Sequence, residues 1–193
     1  MDKEDLEFRL NQVIYRKIFE REECDAIQEY YKFGLSDSNV LAYSDNYKKM
    51  DTQVSPIRKS KERFLSKMQG EWIKQKLLPH MQEINNKYFK LPVLVFGYFS
   101  LLEYGVDGEF KWHADQGTSG STALRRISLV VFLSDRDEYE GGQLEFMPKL
   151  KEPLKMEKGY MIAFPSHKVH RVAPVTSGIR RTMVNWINEY RQS

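Results

Sequence analysis

Apolar and polar positions follow one rhythm in the first half of the chain and another in the second. Glu20 to Asp25 is a polar run, after which Ala26, Ile27, Tyr30 and Tyr31 recur near helical spacing up to Gly34, a glycine suited to closing a helix. Ser36 to Pro56 is polar and aperiodic, and is read as a loop or lid. From Ser60 to Tyr88, apolar residues return at Phe64, Leu65, Met68, Trp72, Ile73, Leu77, Met81, Ile84 and Tyr88. Intervals of three to five predict one or two helices, interrupted near Pro79. The first ninety residues therefore read mainly as helix.

After Pro92 the period shortens. Val93 to Leu102 is rich in β-branched and aromatic residues, and strand-like runs follow at Phe110–Asp115, Arg126–Leu133, Gln143–Met147, Tyr160–Phe164, His170–Val175 and Arg180–Ile187. Turn signals separate them at Asp107-Gly108, Gly117 to Gly120, Gly141-Gly142, Lys158-Gly159 and Ser177-Gly178. Many short strands at this spacing predict a sandwich or barrel. The expected organisation is a single α+β domain over residues 1–193. In it, helical support and a lid (1–90) pack on an antiparallel β core (91–190).

Composition narrows the class. The chain has 193 residues, 41% hydrophobic and 30% charged, as in a soluble globular protein. A net charge of +3 does not call for a nucleic-acid partner. Lys48, Lys49, Arg58, Lys59, Lys61 and Arg63 read as a solvated basic face. The single Cys24 excludes an internal disulfide. The opening MDKEDLEFRLNQ lacks the apolar centre of a signal peptide, and no apolar run approaches the ~20 residues of a membrane span. A cytoplasmic location without membrane contact is expected.

The candidate chemistry lies in the second half. Residues two apart on a strand share a face, so His113 and Asp115 present an imidazole and a carboxylate side by side. His170 precedes the alternating run Val172 to Val175 and offers a second imidazole. His167 competes with it from the turn after Pro165, while His80 reads as structural or solvated. Two imidazoles and one carboxylate leave half of an octahedral metal open, the ligand set of non-haem iron(II) oxygenases. Arg180 shares a strand face with Thr182, Val184 and Trp186, which turns it inward, and a buried guanidinium calls for an anion. A divalent cation, one carboxylate, a bound dicarboxylate and one guanidinium sum to zero charge.

These residues, with Tyr104-x3-Gly108-x-Phe110, Arg126-Ile127-Ser128, Phe132 to Asp135, Glu138 to Leu144, Phe164-Pro165-Ser166, Pro174-Val175 and Gly178, resemble the iron(II)/2-oxoglutarate-dependent dioxygenases. The match is closest to their prolyl 4-hydroxylase-like branch and its PKHD-type hydroxylases. It covers 91–188, with weaker likeness at Glu22 to Ala26, Arg58 to Ser60 and Trp72 to Tyr88. The resemblance implies a double-stranded β-helix (a jelly roll, cupin-like) with a metal near one open end. It implies Fe(II) on His113, Asp115 and His170, 2-oxoglutarate as co-substrate, O2, and ascorbate as a candidate further cofactor. Arg180 would hold the distal carboxylate. Tyr104, Ser128, Leu144, Val184 and Trp186 would line the co-substrate pocket, with Phe132 in the apolar wall. Tyr43 to Arg63 and Gln116 to Ala123 are candidate covers. The implied reaction is hydroxylation of a C–H bond, with a prolyl residue of a protein or peptide as the leading substrate. A free amino acid or other small molecule, and a non-catalytic metal-binding jelly roll, are the alternatives. Phe132 stands where some relatives carry a tyrosine, Arg180 where collagen-type relatives carry lysine, and Gln116 where many relatives have a short polar residue.

Overall fold

The computed structural model describes residues 5, 8, 11–42, 51–54, 57–151 and 154–189. Among the described residues, the N-terminal half is less helical than its periodicity suggests. After helical positions at 5, 8 and 11 comes strand β1 (Ile14–Lys17), then a helix, Arg21–Gln28, and a 3-10 turn, Glu29–Phe33, that ends at Gly34 with φ 100°. The Glu23 carboxylate accepts the Glu20 backbone N–H at 2.8 Å, which closes the helix start. Five short strands follow: β2 (Ser36–Asp37), β3 (Asn39–Ala42), β4 (Asp51–Val54), β5 (Arg58–Lys59) and β6 (Lys61–Phe64). The stretch read as a loop therefore contains strands, and Phe64 lies on a strand rather than in a helix. Of the candidate cover from Tyr43 to Arg63, positions 43–50 and 55–56 lie outside the described residues.

The long helix spans Lys67–Ile84. Ser66 Oγ accepts the Gln69 N–H at 3.2 Å, and Gln69 Oε1 accepts the Ser66 N–H at 3.0 Å. The helix runs through Pro79 without interruption, contrary to expectation, and gives way to a π-helical turn, Asn85–Phe89. Tertiary burial explains its continuity. Ile73, Leu77, Met81 and Ile84 form one stripe with 0% exposure, and each buried side chain contributes about 1.5–3 kcal/mol. Leu77→Ala would cost about 2–5 kcal/mol through transfer and cavity terms.

The remaining strands are β7 (Val95–Phe96), β8 (Ser100–Tyr104), β9 (Glu109–His113), β10 (Arg125–Phe132), β11 (Tyr139–Gly141), β12 (Leu144–Met147), β13 (Tyr160–Pro165), β14 (Val169–Val172), β15 (Val175–Gly178) and β16 (Arg180–Asn188). They form a major sheet in the order β1-β13-β10-β16-β8-β6-β2, with β7 on β16, and a minor sheet β12-β14-β9-β5. The pairs β11-β15 and β3-β4 stand beside them. All pairings are antiparallel.

The major sheet has cores on both faces. Ile127, Leu129 and Val131 of β10 join the helix-side cluster with Leu101, Met161 and Met183. Val130 and Phe132 point the other way, into a cluster shared with Leu144, Phe146 and Val172 of the minor sheet. Burial on both faces accounts for the continuous apolar run from Leu129 to Leu133. The two sheets enclosing that second cluster form a jelly-roll core. No described helix is long and apolar enough to cross a membrane, and Cys24 is a free, buried thiol.

Candidate metal centre

β9 and β14 are neighbours in the minor sheet, and their register sets His113 directly opposite His170. Asp115 lies two residues past the end of β9 and turns back between the two rings. His113 Nε2 is 3.6 Å from Asp115 Oδ1, and His170 Nε2 is 3.6 Å from Asp115 Oδ2. Donors sharing one ion at bonds of about 2.1 Å lie within about 4.2 Å of each other, and both separations satisfy this. Among the described residues these three form the one cluster of His, Cys, Asp or Glu whose donor atoms all lie within 4.8 Å.

The surroundings prepare the donors. His113 Nδ1–H donates to the Lys111 carbonyl at 2.7 Å, and His170 Nδ1–H donates to the Lys168 carbonyl at 2.9 Å. A carbonyl only accepts, so both rings carry their proton on Nδ1 and turn the Nε2 lone pair toward Asp115. Burial holds His170 below the ordinary histidine range, which favours the neutral, ligating form. Burial alone would raise the Asp115 carboxyl. Positive charge facing it from the His170 and His113 side, whether proton or cation, together with the Ser128 hydroxyl, outweighs it and keeps the group well below the usual carboxylate range. The Ser128 hydroxyl donates to Asp115 Oδ2 at 2.6 Å and also reaches Ser166 Oγ at 3.0 Å.

Arg180, the first residue of β16, is 1% exposed. Its guanidinium lies over Tyr104, 5.2 Å from the ring centroid, and 5.9 Å from that of Phe132. Nη1 reaches Thr182 Oγ1 at 3.5 Å, while Nε and Nη2 have no hydrogen-bond partner. Leaving buried donors unmet costs free energy, so this corner fits a bound anion. Gly142 makes room for the side chain. It has φ +61°, and a Cβ there would sit 2.8 Å from Arg180 Cδ.

Arg180, the three candidate ligands, Tyr104, Leu144, Val184 and Trp186 line one narrow cleft. The sequence expectations thus meet in one place, with exceptions. Ser128 does not line the cleft; it sits behind Asp115 as that carboxylate's donor. Phe132 lies beneath Arg180 rather than in the lining. His167 is exposed and His80 sits on the long helix, so neither joins the site. Thr182, Phe110, Val172 and Arg58 also line the cleft without having been singled out for it. Thr182 was readable from its shared face with Arg180, whereas Arg58 looked like part of a solvated basic run. At the mouth, the Arg125 guanidinium stacks 3.7 Å over Trp186 and donates to the Asp115 carbonyl at 3.3 Å. Two wider clefts, of about 570 and 610 Å³, lie elsewhere. Neither brings together a ligand cluster, so chemistry rather than size selects the site.

A jelly roll that offers two imidazoles and a carboxylate at one point, with a buried guanidinium in the same cleft, has the ligand set of a non-haem iron protein. Residues 99–188 match the family described as the 2OG-Fe(II) oxygenase superfamily. Through these residues the chain is similar to members of that superfamily. A PKHD-type hydroxylase of Synechococcus sp. (strain CC9902) is 38% identical over 85 residues, covering 44% of this chain and 38% of the relative. Another, from Rippkaea orientalis (strain PCC 8801 / RF-1), is 34% identical over 128 residues, covering 64% and 58%. The matched stretch thus spans less than two thirds of either relative's length. The fold is shared with a viral collagen prolyl hydroxylase from Paramecium Bursaria Chlorella virus-1, solved as a 2OG complex. Its TM-score is 0.69 at 21% identity, with 93% of this chain and 97% of that one covered.

Proposed function

We propose that this chain, acting as one domain, is an Fe(II)- and 2-oxoglutarate-dependent dioxygenase that hydroxylates an unactivated C–H bond. The leading substrate is a prolyl residue in a protein or peptide. In the net reaction one oxygen atom of O2 enters the C–H bond and the other enters succinate, and 2-oxoglutarate loses CO2. The observation that carries this reading is the pairing of a convergent His113–Asp115–His170 set with an Arg180 guanidinium buried without an anion in the same cleft.

His113, Asp115 and His170 would hold the iron, which when bound supplies the site for oxygen activation. The rest is work for this chain's own groups. Arg180 binds and orients the distal carboxylate of the co-substrate, with its forked donors matching a planar acceptor. Tyr104 and Thr182 flank that guanidinium and set its direction. Leu144, Val172 and Val184 exclude water from the reacting end of the cleft. Ser128 keeps the Asp115 carboxylate turned inward. Arg125, stacked on Trp186, offers donors at the mouth, where the carbonyl of an incoming chain can accept them. The collagen prolyl hydroxylase that shares the fold, and relatives named PKHD-type hydroxylases, support the prolyl reading.

The test is anaerobic reconstitution with Fe(II) and 2-oxoglutarate, then admission of O2 with proline-containing peptide pools or free amino acids. A gain of one oxygen by mass on a peptide, with matched succinate, supports the proposal. A gain on a free amino acid alone moves the substrate to a small molecule. Succinate that is equal in wild type and His113→Ala would remove the enzymatic reading and leave a metal-binding module.

A further inference from the structure

The two candidate imidazole ligands are packed by different rings. His170 is 5% exposed and boxed by aromatic rings, with Phe164 edge-on at 4.8 Å and Phe146 at 5.9 Å between centroids. The His113 side chain is nearly as covered, 10% exposed against 6% for His170. Its Nδ1 bond to Lys111 fixes which nitrogen faces inward, but one hydrogen bond leaves the ring free to tilt about that line. Among the described residues, the ring that lies flat against it is Phe110, with centroids 3.4 Å apart and planes 14° apart.

Phe110 is in turn backed by a cation. Arg58 pairs with Phe110 in the β5–β9 register, and its guanidinium carbon lies 5.4 Å from the ring centroid. Arg58 is fixed on the other side: Nη2 donates to Glu62 Oε2 at 2.6 Å and to Ser38 Oγ at 2.9 Å, and Nε donates to Ser60 Oγ at 3.0 Å. The Arg58 and Glu62 side chains are only 8% and 10% exposed. A buried ion pair of this kind adds little net stability, since desolvation offsets attraction. It does give a long flexible side chain a single position.

We infer that Arg58, anchored by Glu62, is a positioning residue for the metal centre: it holds Phe110 flat on His113 and thereby fixes the plane of that ligand. The inference rests on reading His113 as a metal ligand. It assigns a purpose to a buried charge pair that lies outside the ligand set, and it joins the Ser38–Ser60–Glu62 cluster to the chemistry through one aromatic ring.

The test is Co(II) titration of the metal-free protein, followed by visible absorption, with thermal unfolding as a check on folding. Arg58→Met with Glu62→Met removes no net charge, and of the two only Arg58 lines the cleft, so electrostatics alone would strengthen cation binding and cannot produce a loss. Both that double variant and Phe110→Leu are expected to bind Co(II) about 10-fold more weakly, the size of effect typical of groups that orient a ligand. The triple variant should be no weaker than Phe110→Leu alone, because Arg58 acts through Phe110, and Phe110→Tyr should bind as wild type does. Wild-type affinity in the double variant, or losses that multiply in the triple variant, would overturn the inference while leaving the metal site intact. If the double variant does not fold, the contrast between Phe110→Tyr and Phe110→Leu decides, and equal binding by the two would overturn it. Failure of wild type itself to bind Co(II) would remove the metal reading and this inference together.

Discussion

Replacing Arg180 by methionine should stabilise the ligand-free protein and abolish its response to 2-oxoglutarate. The guanidinium is 1% exposed and two of its nitrogens lack partners, so the folded state carries an unmet desolvation cost. Exchanging a poorly compensated buried charge for an apolar side chain of similar length is worth about 1–4 kcal/mol in favour of folding. A middle value of about 2 kcal/mol corresponds to a rise in Tm of about 4–8 °C for a domain of this size. In wild type the ligand supplies the missing anion. At a hundredfold excess over Kd it should add about 2.7 kcal/mol, and hence about 5–10 °C. Differential scanning calorimetry of the Mn(II)-loaded protein without oxygen, with and without 2-oxoglutarate, measures both quantities. The reasoning would be refuted by a variant that melts below wild type in the absence of ligand and still shows the full ligand-induced rise.

Other outcomes follow from the same geometry. Ser128→Ala removes the 2.6 Å bond that orients Asp115, and should weaken metal binding about 10–100-fold by calorimetric titration; unchanged affinity would return Ser128 to a packing role. His167→Ala should leave Co(II) affinity at the wild-type value and His170→Ala should eliminate it, because of these two it is His170 that faces Asp115. Acid should destabilise the metal-free protein in a defined window. With the folded pKa of His170 held below its ordinary 6.5, the unfolded chain binds the proton first as the pH falls through 6.5. Stability therefore drops toward lower pH and levels off once the folded protein is protonated too. Urea unfolding between about pH 5 and 7.5 should show that slope in wild type and a shallower one in His170→Asn; equal slopes would contradict the assignment.

The β core was legible because its signals are local. Alternation on Arg180, Thr182, Val184 and Trp186 placed the guanidinium inside, and the two-residue step from His113 to Asp115 placed the donors together. The N-terminal half was less readable. The polar segment Arg58-Lys59-Ser60-Lys61-Glu62 looks solvated, yet it crosses from the minor to the major sheet and buries a charge pair that only the partner strands reveal. Pro79 looked like a break, but burial of Leu77 and Met81 on either side outweighs one lost backbone bond. Ser128 is buried behind Asp115 rather than lining the co-substrate pocket. Nothing in the sequence says that its hydroxyl meets Asp115, because a serine hydroxyl can take any of the staggered rotamers.

The most direct measurement is anomalous diffraction at the iron edge from crystals grown without oxygen in Fe(II) and 2-oxoglutarate. One peak bonded to the Nε2 atoms of His113 and His170 and to the Asp115 carboxylate is predicted, with the distal carboxylate of the co-substrate on Arg180. Iron bound elsewhere, or Arg180 still without an anion beside a fully bound co-substrate, would contradict the account.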